Sequence, residues 1–151
     1  MGLLTLLFDF RGRAGRAQFW LASAIWVVFF LVVVGLFMTT GVPDVVIAAS
    51  LVVFSASAVA VGIKRLHDRE KSSWWLLAFY GAPVLLSYVA SLLSGGSDAA
   101  LPASVQTLQF IWFAVVLWAL VELGMIRGTI GINEYGADPL APAPAPARMA
   151  H

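Results

Sequence analysis

Long apolar runs alternate with short polar segments along the whole chain. The runs cover about residues 19–40, 45–63, 74–93 and 105–126. Each is close to the ~20 residues that a helix needs to cross the ~30 Å hydrocarbon core of a bilayer. The pattern therefore predicts an all-α integral membrane four-helix bundle, preceded by a short interfacial segment over residues 1–18.

The basic residues follow the same alternation. All nine Lys and Arg residues can be placed on one side of such a bundle, and the two loops on the other side, 41–44 and 94–104, carry none. Short loops rich in Lys and Arg stay in the cytoplasm. We therefore expect both N and C termini to be cytoplasmic. The nine residues are Arg11, Arg13, Arg16, Lys64, Arg65, Arg69, Lys71, Arg127 and Arg148.

The composition is typical of a chain that is embedded in a lipid bilayer. Hydrophobic residues make up 61% and charged residues 11%, whereas soluble domains have about a quarter charged residues. The transmembrane domain of 19–139 leaves little chain for a soluble catalytic unit. Because there is no cysteine and there are two histidines, a zinc site lacks its usual ligands. We predict no metal and no cofactor.

Small residues and one proline distinguish the second and third spans. Ala56 and Ala60 are four residues apart, as are Ala58 and Gly62, and small residues at this spacing let helix backbones approach closely. The second span is therefore predicted to be the packed centre of the bundle, with the aromatic first span facing lipid. Pro83 is predicted to kink the third span.

Three polar clusters, 10–20, 64–75 and 131–139, fall on the predicted cytoplasmic side. In these clusters the chain is similar to domain-of-unknown-function family 805 (DUF805), a group of bacterial inner-membrane proteins. That family carries GR-x-x-R-x-x-[FY]-W at its first helix, an R-L-H-D-x-G-K-S-G-W-W loop, and N-x-Y-G-x-D-P after its last helix. The matching residues are Gly12, Arg13, Arg16, Phe19 and Trp20; Arg65, Leu66, His67, Asp68, Lys71, Ser72, Trp74 and Trp75; and Asn133, Tyr135, Gly136, Asp138 and Pro139.

The resemblance implies location in the bacterial inner membrane and implies no activity. Two family glycines are replaced here, by Glu70 and Ser73. The loop is accordingly expected to be stiffer, and it lacks the close backbone approach that glycine permits at these points.

The candidate site is a polar cluster on the cytoplasmic face. Arginine binds phosphate bidentately, so the cluster can attract anionic lipid headgroups. Alternatively its members cap helix ends and join the loops. Arg65 is expected to pair with Asp68 or Asp138 when no ligand is bound. The candidate residues are Arg13, Arg16, Arg65, His67, Asp68, Lys71, Asn133, Tyr135 and Asp138.

Glu122 is the acid of the fourth span. Ionisable residues inside a span are candidates for proton relay or pairing. Glu122 lies four residues before Ile126, or about 6 Å along a helix. It is therefore close enough to the cytoplasm to meet a basic residue, or to belong to a transport path.

Three functions follow from these features. The first is a non-enzymatic interaction or accessory module that binds anionic lipid, a membrane-protein partner or a second copy of the chain. The second is a small oligomeric transporter near Glu122 and Pro83. The third is a lipid-headgroup enzyme centred on His67 and Asp68. Nucleic acid is not an expected partner, because the basic residues are few and juxtamembrane.

Residues 140–151 are rich in Pro and Ala and are predicted to be a disordered tail.

Overall fold

The computed structural model describes residues 2–94 and 102–141, and these residues form helices but no β-strand. Four helical units are long and apolar enough to cross a membrane, which confirms the predicted four-span, all-α architecture. Residues 142–151 of the predicted tail, with Arg148, and Asp98 of the predicted loop 94–104 lie outside the described residues. The helices are α1 (Leu3–Phe8), α2 (Arg16–Thr40), α3 (Asp44–Asp68), α4 (Ala82–Ser94) and α5 (Ala103–Leu120). Two π-helical segments adjoin them, π1 (Leu77–Gly81) before α4 and π2 (Val121–Met125) after α5.

The second spanning helix is longer than its apolar run. The sequence predicted that residues 64–68 belong to a loop, but they form the last turns of α3. The charges of Lys64, Arg65 and Asp68 made this stretch resemble a loop, but their side chains are buried against other parts of the protein. The central polar motif therefore stands on a rigid helix end.

The connection between α2 and α3 is short, which makes the two helices an antiparallel hairpin. Gly41 follows the last residue of α2 with a φ of 60°. This left-handed conformation commonly ends a helix and suits glycine. Pro43 then precedes Asp44, the first residue of α3.

The bundle consists of two hairpins that meet at one end. Helix α2 packs on α3, and α4 packs on α5. Within the described ranges, neither α2 nor α3 closely approaches α4 or α5. The hairpins join through π2, which packs on α2 and α3, and through side chains of π1 that pack against α3. Since packed helices lie 8–10 Å apart, the hairpins diverge away from this junction. We call the junction end, where the described Lys and Arg residues gather, the basic face.

The hydrophobic core lies at the same end. It includes Phe19, Val61, Leu66, Phe79 and Leu123, all at most 6% exposed. The outer halves of α2 and α3 present mainly exposed apolar side chains, as expected for surfaces that face lipid. The tight packing of this protein is therefore concentrated next to its polar clusters.

The buried face of α3 differs in part from the predicted one. Ala60 is fully buried, but Ala56 is exposed. Gly62 is the small residue that permits a close approach, because a Cβ there would lie 2.7 Å from a methyl group of Leu76. In the first span, Trp26 is partly buried rather than lipid-facing, and its Nε1 donates to Ser57 Oγ at 3.0 Å.

The short helix α1 is tied to α3 by a buried lysine. Leu6 and Leu7 are buried, and Lys64 is 0% exposed. Lys64 Nζ donates to the carbonyl of Thr5 at 2.6 Å and to that of Leu6. These carbonyls belong to the last turn of α1, where helical partners run out; the Thr5 carbonyl also accepts from Asp9 N at 3.2 Å. The leading segment is thus an integral part of the basic face.

Pro83 is the second residue of α4, two positions after the end of π1. A proline lacks the N–H that would bond to the carbonyl four residues earlier, and its ring crowds that carbonyl. The wider π-helical turn over Leu77–Gly81 precedes it, and π segments are a recognised cause of helix irregularity. The predicted irregularity of the third span is therefore located at the junction of the two hairpins.

Candidate functional site

Asp68 is the centre of the basic face. Its side chain is 4% exposed and contacts two guanidinium groups. Asp68 Oδ1 accepts from Arg13 Nε at 3.1 Å and Nη2 at 2.9 Å. Asp68 Oδ2 accepts from Arg65 Nη1 at 2.6 Å. These three residues, which we call the arginine–aspartate cluster, carry a net charge of about +1 in a buried place.

Backbone carbonyls satisfy the remaining donors of Arg13. Its side chain is 1% exposed, and it donates to the carbonyl oxygens of Thr129, Gly131 and Gly136. All three carbonyls follow the last helix. Arg13 therefore joins the segment before α2 to the segment after π2, with Asp68 of α3 between them.

Arg65 makes the corresponding connection to the fourth span. Its side chain is 0% exposed and donates to the carbonyls of Leu123 and Ile126. The π-helical turn over Val121–Met125 changes the pattern of backbone hydrogen bonds there. Arg65 donates to two carbonyls at this irregular helix end. Because the guanidinium is fully buried, a phosphate at the surface of the protein cannot reach it.

His67 lies on a different side of α3 from Asp68. Its ring stacks on Tyr135, with the ring centroids 3.8 Å apart and the planes 6° from parallel. Its Nδ1 lies 3.3 Å from the carbonyl oxygen of Gly12, and its Nε2 lies 3.2 Å from Ser73 Oγ. His67 thus holds together all three polar motifs.

Asn133 secures the end of α3 from the third motif. Its Nδ2 donates to the carbonyl of His67 and to Thr129 Oγ1, both at 3.0 Å, and its Oδ1 accepts from Tyr135 N at 2.9 Å. The N–H of Thr129 donates to the carbonyl of Asp68 at 2.8 Å. The last carbonyls of α3, which have no partner inside the helix, are therefore bonded by the segment after the fourth span.

The chain leaves α3 through a Schellman motif. Lys71 N donates to the carbonyl of Leu66 at 2.9 Å, and Glu70 N donates to that of His67 at 3.1 Å. This motif places one residue in the left-handed region, usually a glycine. Here that residue is Glu70, with a φ of 53°, which is the position where the DUF805 motif has glycine.

Glu122 is paired with two basic residues of the segment after α3. Its Oε1 lies 2.6 Å from Lys71 Nζ and 3.2 Å from Arg69 Nη2. Lys71 also lies over the Trp75 ring, 5.0 Å from its centroid. The acid of the fourth span is thus bonded to the basic face, next to the arginine–aspartate cluster.

Asp138 organises the third motif on the outside of the site. Its two oxygens accept from the N–H groups of Leu140 at 2.9 Å and Gly131 at 3.1 Å. These donors lower the pKa of Asp138, and the nearby charges of Arg13 and Arg127 act in the same direction. Asp138 does not contact Arg65, which pairs with Asp68.

Three arginines of the same face are exposed, Arg11, Arg16 and Arg127, and the last two lie close together. Arg16 donates through Nη1 to the carbonyl of Met125 at 3.2 Å. Within the described residues the side chain of Arg127 makes no hydrogen bond or ion pair. Arg16 and Arg127 border one narrow crevice of about 10 Å³, whose lining also includes Gly15, Asp68, Gly128, Thr129 and Asp138. A group that contacts the two arginines therefore lies at the mouth of the crevice. Trp20, 46% exposed, is four residues after Arg16 and donates to the carbonyl of Gly124 at 3.0 Å.

Sequence reasoning missed two residues of this site, Gly128 and Thr129. Gly128 lies directly against the carboxylate of Asp68, and Thr129 bonds to Arg13, Asp68 and Asn133. The one available signal was their position between the last apolar run and the third motif. Among the described residues no group of three His, Cys, Asp or Glu side chains has the arrangement of a metal site.

Comparison with known proteins gives one family. The model of the family described as "Protein of unknown function (DUF805)" matches residues 7–137. Two relatives, each described as "Uncharacterized protein YiiR", come from Escherichia coli (strain K12) and Escherichia coli O157:H7. Each is 34% identical over 134 residues, which cover 87% of this chain and 86% of the relative. No solved structure matches the chain.

Proposed function

We propose that the chain, which belongs to the DUF805 family, is a non-enzymatic accessory module of the bacterial inner membrane that binds anionic phospholipid at its basic face. Because short segments rich in Lys and Arg stay in the cytoplasm, the basic face is assigned to the cytoplasmic side. The inner leaflet is where anionic lipids attract juxtamembrane cations, by about 1 kcal/mol for each residue.

The observation that carries the proposal is the difference between buried and exposed arginines. Arg13 and Arg65 are buried and bonded within the protein. Arg16 and Arg127 are exposed and line the same crevice. The buried pair therefore builds the platform, and the exposed pair supplies donors for a phosphate group, which guanidinium binds well.

The surroundings of Arg16 and Arg127 favour a lipid over a soluble anion. Trp20 is 46% exposed, Met125 59% and Ile126 40%. A tryptophan next to exposed apolar side chains is typical of the headgroup zone of a membrane. The acyl chains of a phospholipid whose phosphate is bound here would thus lie next to exposed apolar side chains.

The orientation of His67 and Asp68 supports the non-enzymatic part of the proposal. A general base needs a nucleophile and an orienting partner in one pocket. Asp68 faces Arg13 and Arg65, whereas His67 faces Tyr135, Gly12 and Ser73. The two side chains make separate contacts at a helix end, which supports a structural role for both.

A small oligomeric transporter is the second candidate, and one groove favours it. The groove lies between the outer parts of α4 and α5 and is lined in part by Ser87, Ser91 and Gln109. Gln109 and Glu122 are thirteen residues apart, or about 20 Å along the helix. Because Glu122 is held in ion pairs with Lys71 and Arg69 at the other end, we rank lipid binding first.

Native mass spectrometry of the purified protein titrated with phosphatidylglycerol or phosphatidylethanolamine tests the proposal. We expect the wild type to retain phosphatidylglycerol preferentially. Arg127→Gln should weaken this binding about fivefold, which corresponds to the loss of about 1 kcal/mol. Arg11→Gln is the matched control, because Arg11 is also exposed but does not line the crevice, and its effect should be clearly smaller. Equal retention of both lipids by the wild type, or equal effects of the two substitutions, would overturn the proposal.

A further inference from the structure

A large apolar cleft separates the two hairpins above the basic face. Its volume is about 470 Å³, which is within the range of ~300–1,000 Å³ typical of ligand sites. Both hairpins contribute to its walls. The lining includes Phe19 and Trp26 of α2, Ala58 of α3, Tyr80 of π1, Val116 of α5 and Leu123 of π2.

The position of the cleft decides what can fill it. Its walls belong to the candidate membrane spans, so the medium around it is hydrocarbon. At the basic face, the buried core residues Phe19, Phe79 and Leu123 close the cleft. Apolar cavities do not hold water, because water there lacks polar partners. The occupant must therefore be apolar and must enter from the bilayer.

The cleft lies about one helical turn from the proposed headgroup site, on the other side of the core residue Phe19. Arg16 and Trp20 of α2 bond to the carbonyls of Met125 and Gly124 in π2. Beyond these contacts α2 and α5 no longer approach each other closely. Phe19, which lines the cleft, is three residues from Arg16, or about 5 Å along the helix. A phosphate on Arg16 and Arg127 thus places the start of an acyl chain at the edge of the cleft.

We infer that the cleft binds one acyl chain of the phospholipid whose headgroup contacts Arg16 and Arg127. For the headgroup position this inference rests on the proposed function. The headgroup at the two arginines and the acyl chain in the cleft are then parts of one ligand, and each adds to its binding. The cleft supplies retention of the lipid, and the arginines supply the preference for an anionic headgroup.

Filling the cleft provides a direct test. In Ala58→Phe a benzyl group enters the cleft, because Ala58 is one of its lining residues. Ala56→Phe is the matched control, since Ala56 is on the same helix, is exposed, and does not line the cleft. Native mass spectrometry with phosphatidylglycerol should show at least a tenfold loss of retained lipid for Ala58→Phe and wild-type retention for Ala56→Phe. Val116→Phe fills the cleft from α5 and should repeat the loss, so a folding defect of one variant does not decide the result.

Two comparisons separate this inference from the proposed function. Arg127→Gln should lower the preference for phosphatidylglycerol over phosphatidylethanolamine while a lipid is still retained. If the wild type shows no headgroup preference but Ala58→Phe still removes its lipid, the proposed function fails and the chain site stands. If folded Ala58→Phe and Val116→Phe retain lipid as the wild type does, or if Ala56→Phe loses it equally, the cleft is not the chain site.

Discussion

Gly128 lies so close to Asp68 that a Cβ atom at residue 128 would be 1.8 Å from Asp68 Oδ2 and 2.3 Å from its Cγ. No side chain fits in this space unless the carboxylate or the backbone moves. The carboxylate is held from the other directions by Arg13 and Arg65. The contact between Gly128 and Asp68 therefore sets the geometry of the arginine–aspartate cluster.

Gly128→Ala should consequently destabilise the protein strongly. Displacing Asp68 separates a buried carboxylate from two buried guanidinium groups, and breaking such a pair costs about 3 kcal/mol or more. Thermal unfolding in detergent, followed by circular dichroism, measures the effect. Gly35→Ala is the control, because nothing lies within 4 Å of a Cβ there, and alanine favours a helix over glycine. Equal stability of the two variants would contradict this account of Gly128.

Glu70→Gly should stabilise the protein. Glu70 has a φ of 53° at the end of α3, where a residue with a Cβ is strained by about 1 kcal/mol. Glycine removes that strain and preserves the Schellman bonds, which the backbone makes. The unfolding midpoint should rise for Glu70→Gly and should not rise for Glu134→Gly, since Glu134 is exposed and has no positive φ. A fall in the midpoint of Glu70→Gly would instead assign a stabilising contact to the glutamate side chain.

The two alanines of α3 should respond differently to enlargement. Ala60 is 0% exposed, so Ala60→Leu overpacks the junction of the helices and should cost about 2 kcal/mol. Ala56 is exposed, so Ala56→Leu should change the free energy of unfolding by less than about 0.5 kcal/mol. Unfolding of both variants in the same detergent is the measurement. Similar tolerance at the two positions is the result that this packing does not allow.

The third motif should weaken in acid through Asp138. Its pKa is lower in the folded protein than in the unfolded chain because Leu140 N and Gly131 N donate to its oxygens. Its contribution to stability is therefore complete above the ordinary pKa of about 4 and is lost as the pH falls through the lower folded value. The difference in unfolding midpoint between the wild type and Asp138→Asn should shrink from about pH 6 to about pH 3. A difference that stays constant over this range would show that ionised Asp138 does not stabilise the fold.

The proposed orientation can be tested with single cysteines in a chain that has none. Asp44 and Glu134 are both exposed and mark opposite ends of α3. Asp44 is its first residue, and Glu134 follows Asn133, which bonds to the carbonyl of His67 near the end of the helix. By the positive-inside rule, Asp44→Cys should react with a membrane-impermeant maleimide in intact cells, and Glu134→Cys only after the membrane is permeabilised. Labelling of both in intact cells would contradict the four-span arrangement with both termini inside.

The sequence alone was enough for the membrane architecture and the family. Four apolar runs and the one-sided basic residues do not depend on tertiary contacts, so the four helices and the membership of DUF805 were predictable. The end of α3 was not, because Lys64 and Arg65 are charged and resemble loop residues in any local reading. Their burial depends on the carbonyls of Thr5, Leu123 and Ile126, which are far away in the sequence.

The details of the site were hidden for a related reason. Most acceptors of Arg13 and Arg65 are backbone carbonyls, and every residue has one, so no side chain in the sequence marks them. Gly128 and the cleft likewise depend on how the helices are placed relative to one another. Ala56 was misjudged because small residues at a four-residue spacing occur on both the packed and the lipid-facing sides of α3.

The connections of Arg13 have a consequence for how the protein is made. Arg13 precedes the first spanning helix, but its acceptors include the carbonyls of Thr129, Gly131 and Gly136, which follow the fourth. A nascent chain that has inserted all four helices still has a buried charge cluster without these partners. Assembly of the arginine–aspartate cluster is therefore completed only after the segment that follows the fourth span has been synthesised and has folded back onto Arg13.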